Sequence, residues 1–250
     1  MSRKPIIGLT SNYGIDADYV PPRERAYLLA EYTDAVATAG GIPHVLPVPS
    51  DPNDDTLDQL LQSVDGLVLT GGYDLHPRNW GEEPHPKTIP MHPRREAFEL
   101  ALFRRADATR VPMLAICLGF QIAHVIRGGR LMQHVDDLPR NAPLVHYLPG
   151  DANAFHAVRV EPNSQLARIV GATEFEINSR HHQIVPLEHQ GAGLQQVALS
   201  PDGLLEASED FDGRFLLAIQ WHPEDLYDRP EHLRLFQALV KAAAEQRCAR

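Results

Sequence analysis

Short apolar runs alternate with amphipathic stretches through the first half of the chain. The run PIIGLT (5–10) is apolar on both faces and predicts a buried strand. In YLLAEYTDAVATAGG, Leu28, Leu29, Tyr32, Val36 and Ala39 fall at helical spacing, and Gly40-Gly41 stops the helix. IPHVLPV (42–48) is strand-like. TLDQLLQSV follows, with Leu57, Leu60, Leu61 and Val64 on one face and Asp54 or Asp55 as its cap. GLVLT (66–70) predicts a third buried strand, ending at Gly71-Gly72. A polar stretch rich in proline and histidine leads to the helix RREAFELALFRRADAT, the strand VPMLAI and the helix LGFQIAHVI, with Gly128-Gly129 as its stop. Strands apolar on both faces, alternating with helices, imply a parallel sheet covered on both sides.

The second half changes character. FHAVRV (155–160), EFEIN (174–178), LQQVAL (194–199), GLLEASE (203–209) and RFLLAIQW (214–221) read as strands, with a turn at SPDG and a final helix from Pro230. The pattern predicts an α/β domain with an antiparallel addition. It contains no linker, repeat or low-complexity segment, so a single domain spanning 1–250 is expected.

Charge narrows the partners. Acidic residues outnumber basic ones, 33 to 23, for a formal charge of −10. Such a surface repels phosphate backbones and anionic lipid, so neither nucleic acid nor a membrane surface is an expected partner. MSRKPIIGLTSNYG lacks the apolar core of a signal peptide, and no apolar run approaches the length of a membrane span. Of the two cysteines, Cys248 sits in the terminal EQRCAR and makes an implausible disulfide partner for Cys117. A soluble protein of a reducing, cytoplasmic compartment is the expectation.

Cys117 is the first candidate for chemistry. It stands where VPMLAI gives way to a helix, and a helix N-terminus favours a thiolate through its dipole and free N–H groups. Gly119 is expected to allow a tight turn there. The Cys-x-Gly triplet alone fits an inert core cysteine better. His222, directly after the last apolar strand, is the candidate base, and Glu224 lies near enough to bond one of its nitrogens. Ligands of open α/β sheets gather outside the carboxyl ends of the strands, where Gly71-Gly72, Cys117 and QWHPE all arrive.

The segments LTGGYDLHP, AICLGFQ and QWHPE, in this order and spacing, resemble the class I glutamine amidotransferase superfamily. Within it, NWGEEP, EINSRHHQIV and SPDGLLEASE are similar to the γ-glutamyl-γ-aminobutyrate hydrolase group, and the resemblance runs from about Pro5 to the final helix. It implies a flavodoxin-like three-layer α/β/α sandwich, with a mainly parallel central sheet and an antiparallel addition in the C-terminal half. It implies Cys117 as nucleophile, His222 as general acid and base, and Glu224 as its orienting partner. The backbone N–H groups of Gly72 and Leu118 would form an oxyanion hole. Gln121, Asn178, Arg180 and His181 would contact the glutamyl part of a small γ-glutamyl substrate. No cofactor is implied, and a homodimer is the assembly common in the group. The departure is Leu118, where such hydrolases often carry arginine. That change keeps alive a glutaminase feeding a separate synthase, beside the further alternative of a non-catalytic binding protein.

Metal is not expected. Adjacent His181 and His182 point to opposite faces of an extended chain, and no H-E-x-x-H or paired C-x-x-C is present. Asp74 is expected to brace its own loop, the stretch 73–92 to act as a substrate lid, and EDFDG to be a solvated turn.

Overall fold

The computed structural model describes residues 3–139, 144–148 and 152–249. Among these, nine strands form one sheet in the order β4-β1-β5-β6-β11-β10-β9-β7-β8. The parallel half comprises β1 (Ile6–Leu9), β4 (Ile42–Val45), β5 (Gly66–Leu69), β6 (Met113–Ile116) and β11 (Leu216–Ile219). Antiparallel to β11 run β10 (Leu205–Asp210), then β9 (Leu194–Leu199), β7 (Ala154–Val160) and β8 (Glu174–Ser179). This is the mixed sheet expected, with the antiparallel addition in the second half.

Helices cover both faces. One core gathers Leu57 and Leu61 of α2 (Asp54–Gln62), Phe98 and Phe103 of α3 (Pro93–Ala108), and Phe120 and Ile122 of α4 (Leu118–Ile126). The other gathers Tyr32 and Val36 of α1 (Ala30–Thr38), Leu166 of α5 (Gln165–Val170), and Leu235, Phe236 and Leu239 of α6 (Pro230–Ala249). Two elements depart from the expected pattern. A hairpin of β2 (Asn12–Asp16) and β3 (Arg23–Tyr27) precedes α1 and takes Tyr27 out of the helix. The short α5 is capped by Ser164, whose Oγ accepts the Ala167 N–H. The cap of α2 is Asn53, not Asp54 or Asp55: its side chain accepts the Thr56 N–H at 2.9 Å. Gly128 stops α4 as expected, at φ +85°.

The turn between β6 and α4 differs in detail. Cys117 itself takes the left-handed φ of +51°, with ψ −97°. Gly119 serves close approach instead, because a Cβ there would lie 2.7 Å from the Leu69 carbonyl oxygen. Gly119→Ala is therefore expected to overpack α4 against β5 and to destabilise by about 1–3 kcal/mol. A thermal melt would register this as a lower Tm; an unchanged Tm would show that helix and strand separate freely.

Candidate active site

Strand register builds the site. Ile116 of β6 pairs with Ile219 of parallel β11, so the residues after each strand emerge side by side. The Cys117 N–H donates to the Ile219 carbonyl at 2.8 Å, and Gln220 Nε2 reaches Cys117 Sγ at 3.5 Å. His222 lies two residues further on, with Pro223 opening a short 3₁₀ turn, Pro223–Leu226, that carries Glu224. His222 Nδ1 bonds Glu224 Oε1 at 2.6 Å. The same ring interacts with the Cys117 sulfur, completing a Cys–His–Glu set. All three residues are buried, Cys117 only 6% exposed.

Electrostatics favour a charged imidazole. Burial works against the cation, but the Glu224 carboxylate and the Cys117 sulfur outweigh it and push His222 up to about 10. Burial would raise Glu224, yet the adjacent His222, assisted by the Tyr32 hydroxyl, holds its carboxyl below the ordinary range. A residue held at positive φ costs about 1–3 kcal/mol and persists only where its surroundings over-determine it. Here the bonds to β11 and the packing of α4 supply that constraint.

The end of β5 forms the facing wall. The Gly71 N–H donates to the Tyr32 hydroxyl at 2.9 Å, and a Cβ on Gly71 would come within 2.7 Å of His222 Cε1. A Cβ on Gly72 would strike the Arg95 guanidinium and come 3.0 Å from Leu118 Cδ2, so Gly72 and Leu118 are neighbours. Arg95 is 1% exposed; it donates to the Gly71 carbonyl at 2.9 Å and to Asn12 Oδ1, and pairs with Glu99 at 3.0 Å. Sequence reasoning passed over Arg95 and Tyr32. An i,i+4 Arg–Glu pair on a helix normally marks a solvated face, and Tyr32 looked like ordinary core. Gln220, a polar residue ending an apolar strand, carried a usable signal.

The remaining sequence candidates separate. Gln121 is buried and donates to the Gln183 carbonyl at 3.2 Å, with Gln220 Oε1 at 3.5 Å. Asn178 clamps the His222 backbone from both sides: Nδ2 donates to the carbonyl and Oδ1 accepts the N–H, each at 2.9 Å. Arg180 pairs with Asp225 and lies 3.8 Å from Glu224 Oε1. His181 turns from the thiol, with Nδ1 on the Gln183 carbonyl and Nε2 toward Glu206. His182 points the other way, to Asp74 at 3.0 Å. Asp74 accepts from the Ile89 N–H at 2.7 Å, so it ties the far end of its loop to His182 rather than closing a local turn. In EDFDG, Asp210 is not simply solvated: it pairs with Arg127 at 2.6 Å and Arg214 at 2.8 Å. Part of the 136–154 stretch lies outside the described residues.

A buried Cys–His–Glu set at the carboxyl edge of a mainly parallel sheet is the arrangement of a glutamine amidotransferase-like α/β protein. Solved structures of that class share the fold. The glutaminase domain of Trypanosoma brucei CTPS with bound acivicin superposes at a TM-score of 0.66 and 18% identity, covering 96% of this chain and 94% of that one. A glutamine amidotransferase from Thermotoga maritima does so at 0.58 and 13% identity, covering 98% of each. Both are flavodoxin-like sandwiches, as is this chain.

The profile of the peptidase C26 family matches residues 5–224, and the chain belongs to that family. A Mycobacterium tuberculosis protein named provisionally as a glutamine amidotransferase, Rv2859c, is 37% identical over 96% of this chain and 75% of its own length. The γ-glutamyl-γ-aminobutyrate hydrolase PuuD of Escherichia coli K12 is 32% identical over 79% of this chain and 78% of its own. Family and relatives together support a hydrolase. Among the described residues no helix is long and apolar enough to cross a membrane.

Proposed function

We propose that the chain hydrolyses the amide of a γ-glutamyl amine, such as γ-glutamyl-γ-aminobutyrate or a γ-glutamylated polyamine, to glutamate and free amine. The observation that carries this reading is the register of β6 against β11, which sets Cys117 beside Gln220 and His222, with Glu224 at 2.6 Å behind the imidazole. The name of the E. coli relative supports the substrate class.

Cys117 Sγ attacks the γ-carbonyl carbon, and the proton of the thiol–imidazole pair resides on His222. The negative charge that develops on the carbonyl oxygen is met by the backbone N–H groups of Gly72 and Leu118. The C–N bond breaks as the imidazolium protonates the departing amine, leaving a γ-glutamyl thioester on Cys117. The now neutral His222 takes a proton from water, whose oxygen attacks the thioester. Glutamate leaves, and the thiol–imidazole pair is restored. Glu224 holds the ring orientation and stabilises the imidazolium throughout. Arg95 and Tyr32 are positioning residues for the Gly71-Gly72 segment. Asn178 positions the His222 backbone, while Gln121 and Arg180 are left to contact the glutamyl moiety.

The test is glutamate release by the purified chain from γ-glutamyl-γ-aminobutyrate, γ-glutamylated putrescine and free glutamine in parallel. Release from a γ-glutamyl amine in preference to glutamine is the expected result. Release from glutamine alone would replace this reading with that of a glutaminase serving a synthase, the alternative Leu118 leaves open. No release from any of the three would overturn the substrate class.

A further inference from the structure

Beside the thiol site, on the antiparallel side of the sheet, four acceptor groups converge with no proton donor among them. Glu206 of β10 is fully buried, and neither of its carboxylate oxygens has a hydrogen-bond partner among the described residues. Around its Oε1 stand His146 Nδ1 and His156 Nε2, each at 3.6 Å, and His181 Nε2 at 3.8 Å. These separations are too long for hydrogen bonds. They approximate the edges of a tetrahedron of ligands held about 2.0–2.2 Å from a central ion.

The other nitrogen of each ring is already engaged. His156 Nδ1 faces the Ala157 carbonyl at 3.0 Å, and His181 Nδ1 the Gln183 carbonyl at 3.2 Å. A carbonyl can only accept, so both rings carry their proton there and turn the bare Nε2 toward Glu206. Those two Nε2 atoms are buried and unpartnered. His146 Nε2 meets the Asp202 carboxylate at 3.2 Å, which likewise leaves Nδ1 bare. The Ser179 hydroxyl lies 3.4 Å from that nitrogen but donates to the His146 carbonyl at 2.8 Å. A carboxylate or carbonyl behind each imidazole is the usual outer shell of a metal-bound histidine.

Backbone geometry aims the carboxylate. Leu205 and Ala207 pair with adjacent residues Leu199 and Ala198, so Glu206 is the extra residue of a β-bulge. Bulges of this kind re-aim a side chain. We propose that His146, His156, His181 and Glu206 bind a divalent metal ion, with zinc(II) best matched to three imidazoles and one carboxylate. The ion would cross-link β7, β10, the end of β8 and the 144–148 segment. Without a cation, four electron-rich atoms would face one another out of reach of water. Burial pushes Glu206 up to about 7, the rise expected of a carboxylate denied a counter-ion. The expectation of no metal rested on short local motifs, whereas these ligands come from four separate segments.

The test is metal analysis of Cys117→Ala protein, whose site lacks the competing thiol, after exposure to zinc and exhaustive dialysis. Stoichiometric zinc is expected, reduced at least tenfold in His156→Ala and Glu206→Gln. Asp202→Asn should weaken zinc binding by about 10–100-fold. Should the ligand variants not fold, cobalt(II) added to the chelator-treated Cys117→Ala protein decides. A tetrahedral visible spectrum and a raised Tm are the expected result. A chain that takes up neither zinc nor cobalt, with a Tm indifferent to chelator, overturns the site and leaves a proton on Glu206 as the cluster's cation. Because the readouts are metal content and Tm, the outcome is independent of any hydrolase assay.

Discussion

Cys117→Ala is expected to lower kcat/KM on a γ-glutamyl amine by about 10⁴–10⁶-fold, the range for removing the nucleophile from a working triad. The size follows from the geometry. The sulfur is the one nucleophilic atom between the His222 ring and the Gly72–Leu118 wall. Without it no thioester forms, and water would have to attack the amide directly. The fold should survive. Alanine keeps the Cβ, and the sulfur's one modest polar contact is Gln220 Nε2 at 3.5 Å. The check is a glutamate-release assay beside a thermal melt. Activity lost with Tm retained assigns the sulfur its role. Activity retained in Cys117→Ala would show that the chemistry lies elsewhere.

Glu224→Gln is expected to cost about 10³–10⁴-fold in kcat, as loss of the carboxylate from a triad does elsewhere. Two effects combine. The amide can present either its oxygen or its NH₂ to His222 Nδ1, so the ring's orientation is no longer enforced. The charge effect is larger. Burial alone lowers the His222 pKa, and Glu224 is first among the influences that raise it to about 10. A raised histidine pKa keeps the imidazolium populated until pH climbs through that value. With the carboxylate gone, the proton is lost at lower pH, so the basic limb of the kcat/KM profile should shift toward acid. A pH–rate profile of both proteins measures this. A variant with reduced kcat but an unmoved basic limb would show that Glu224 acts on orientation alone.

The parallel half of the sheet was legible because its strands are apolar on both faces and its helices carry one apolar face each. The β2–β3 hairpin was not. RERAY of β3 is exposed along its whole length and has no hydrophobic period to read. Its placement comes from Tyr13, whose hydroxyl donates to Glu24 at 2.6 Å and accepts from Arg94 of α3 at 2.6 Å. Such contacts join positions far apart in the chain. The cap of α2 shifted by one residue because Asn53, Asp54 and Asp55 are all competent caps and local backbone geometry chooses among them.

The candidate site divides in the same way. Cys117 stood out as a small polar residue between an apolar strand and a helix. His222 and Glu224 stood out because Pro223 interrupts the ladder directly after a buried strand. These are local breaks in periodicity, and a linear sequence carries them. Periodicity alone did not reveal that the three meet. That depends on β6 and β11 being parallel neighbours with Ile116 opposite Ile219, although 103 residues separate Cys117 from Gln220.

By itself, then, the sequence determined the element pattern, the mixed α/β class and the residue types able to do acyl chemistry. All of these depend on spacing within about twenty residues. Tertiary structure alone decided that Arg95 is buried behind Gly72, that Asn178 clamps His222, and that three histidines surround Glu206. Each of these is an encounter between distant segments. Burial there reverses the ordinary expectation for a charged or polar side chain, from a solvated surface group to one that must find its partner inside the fold.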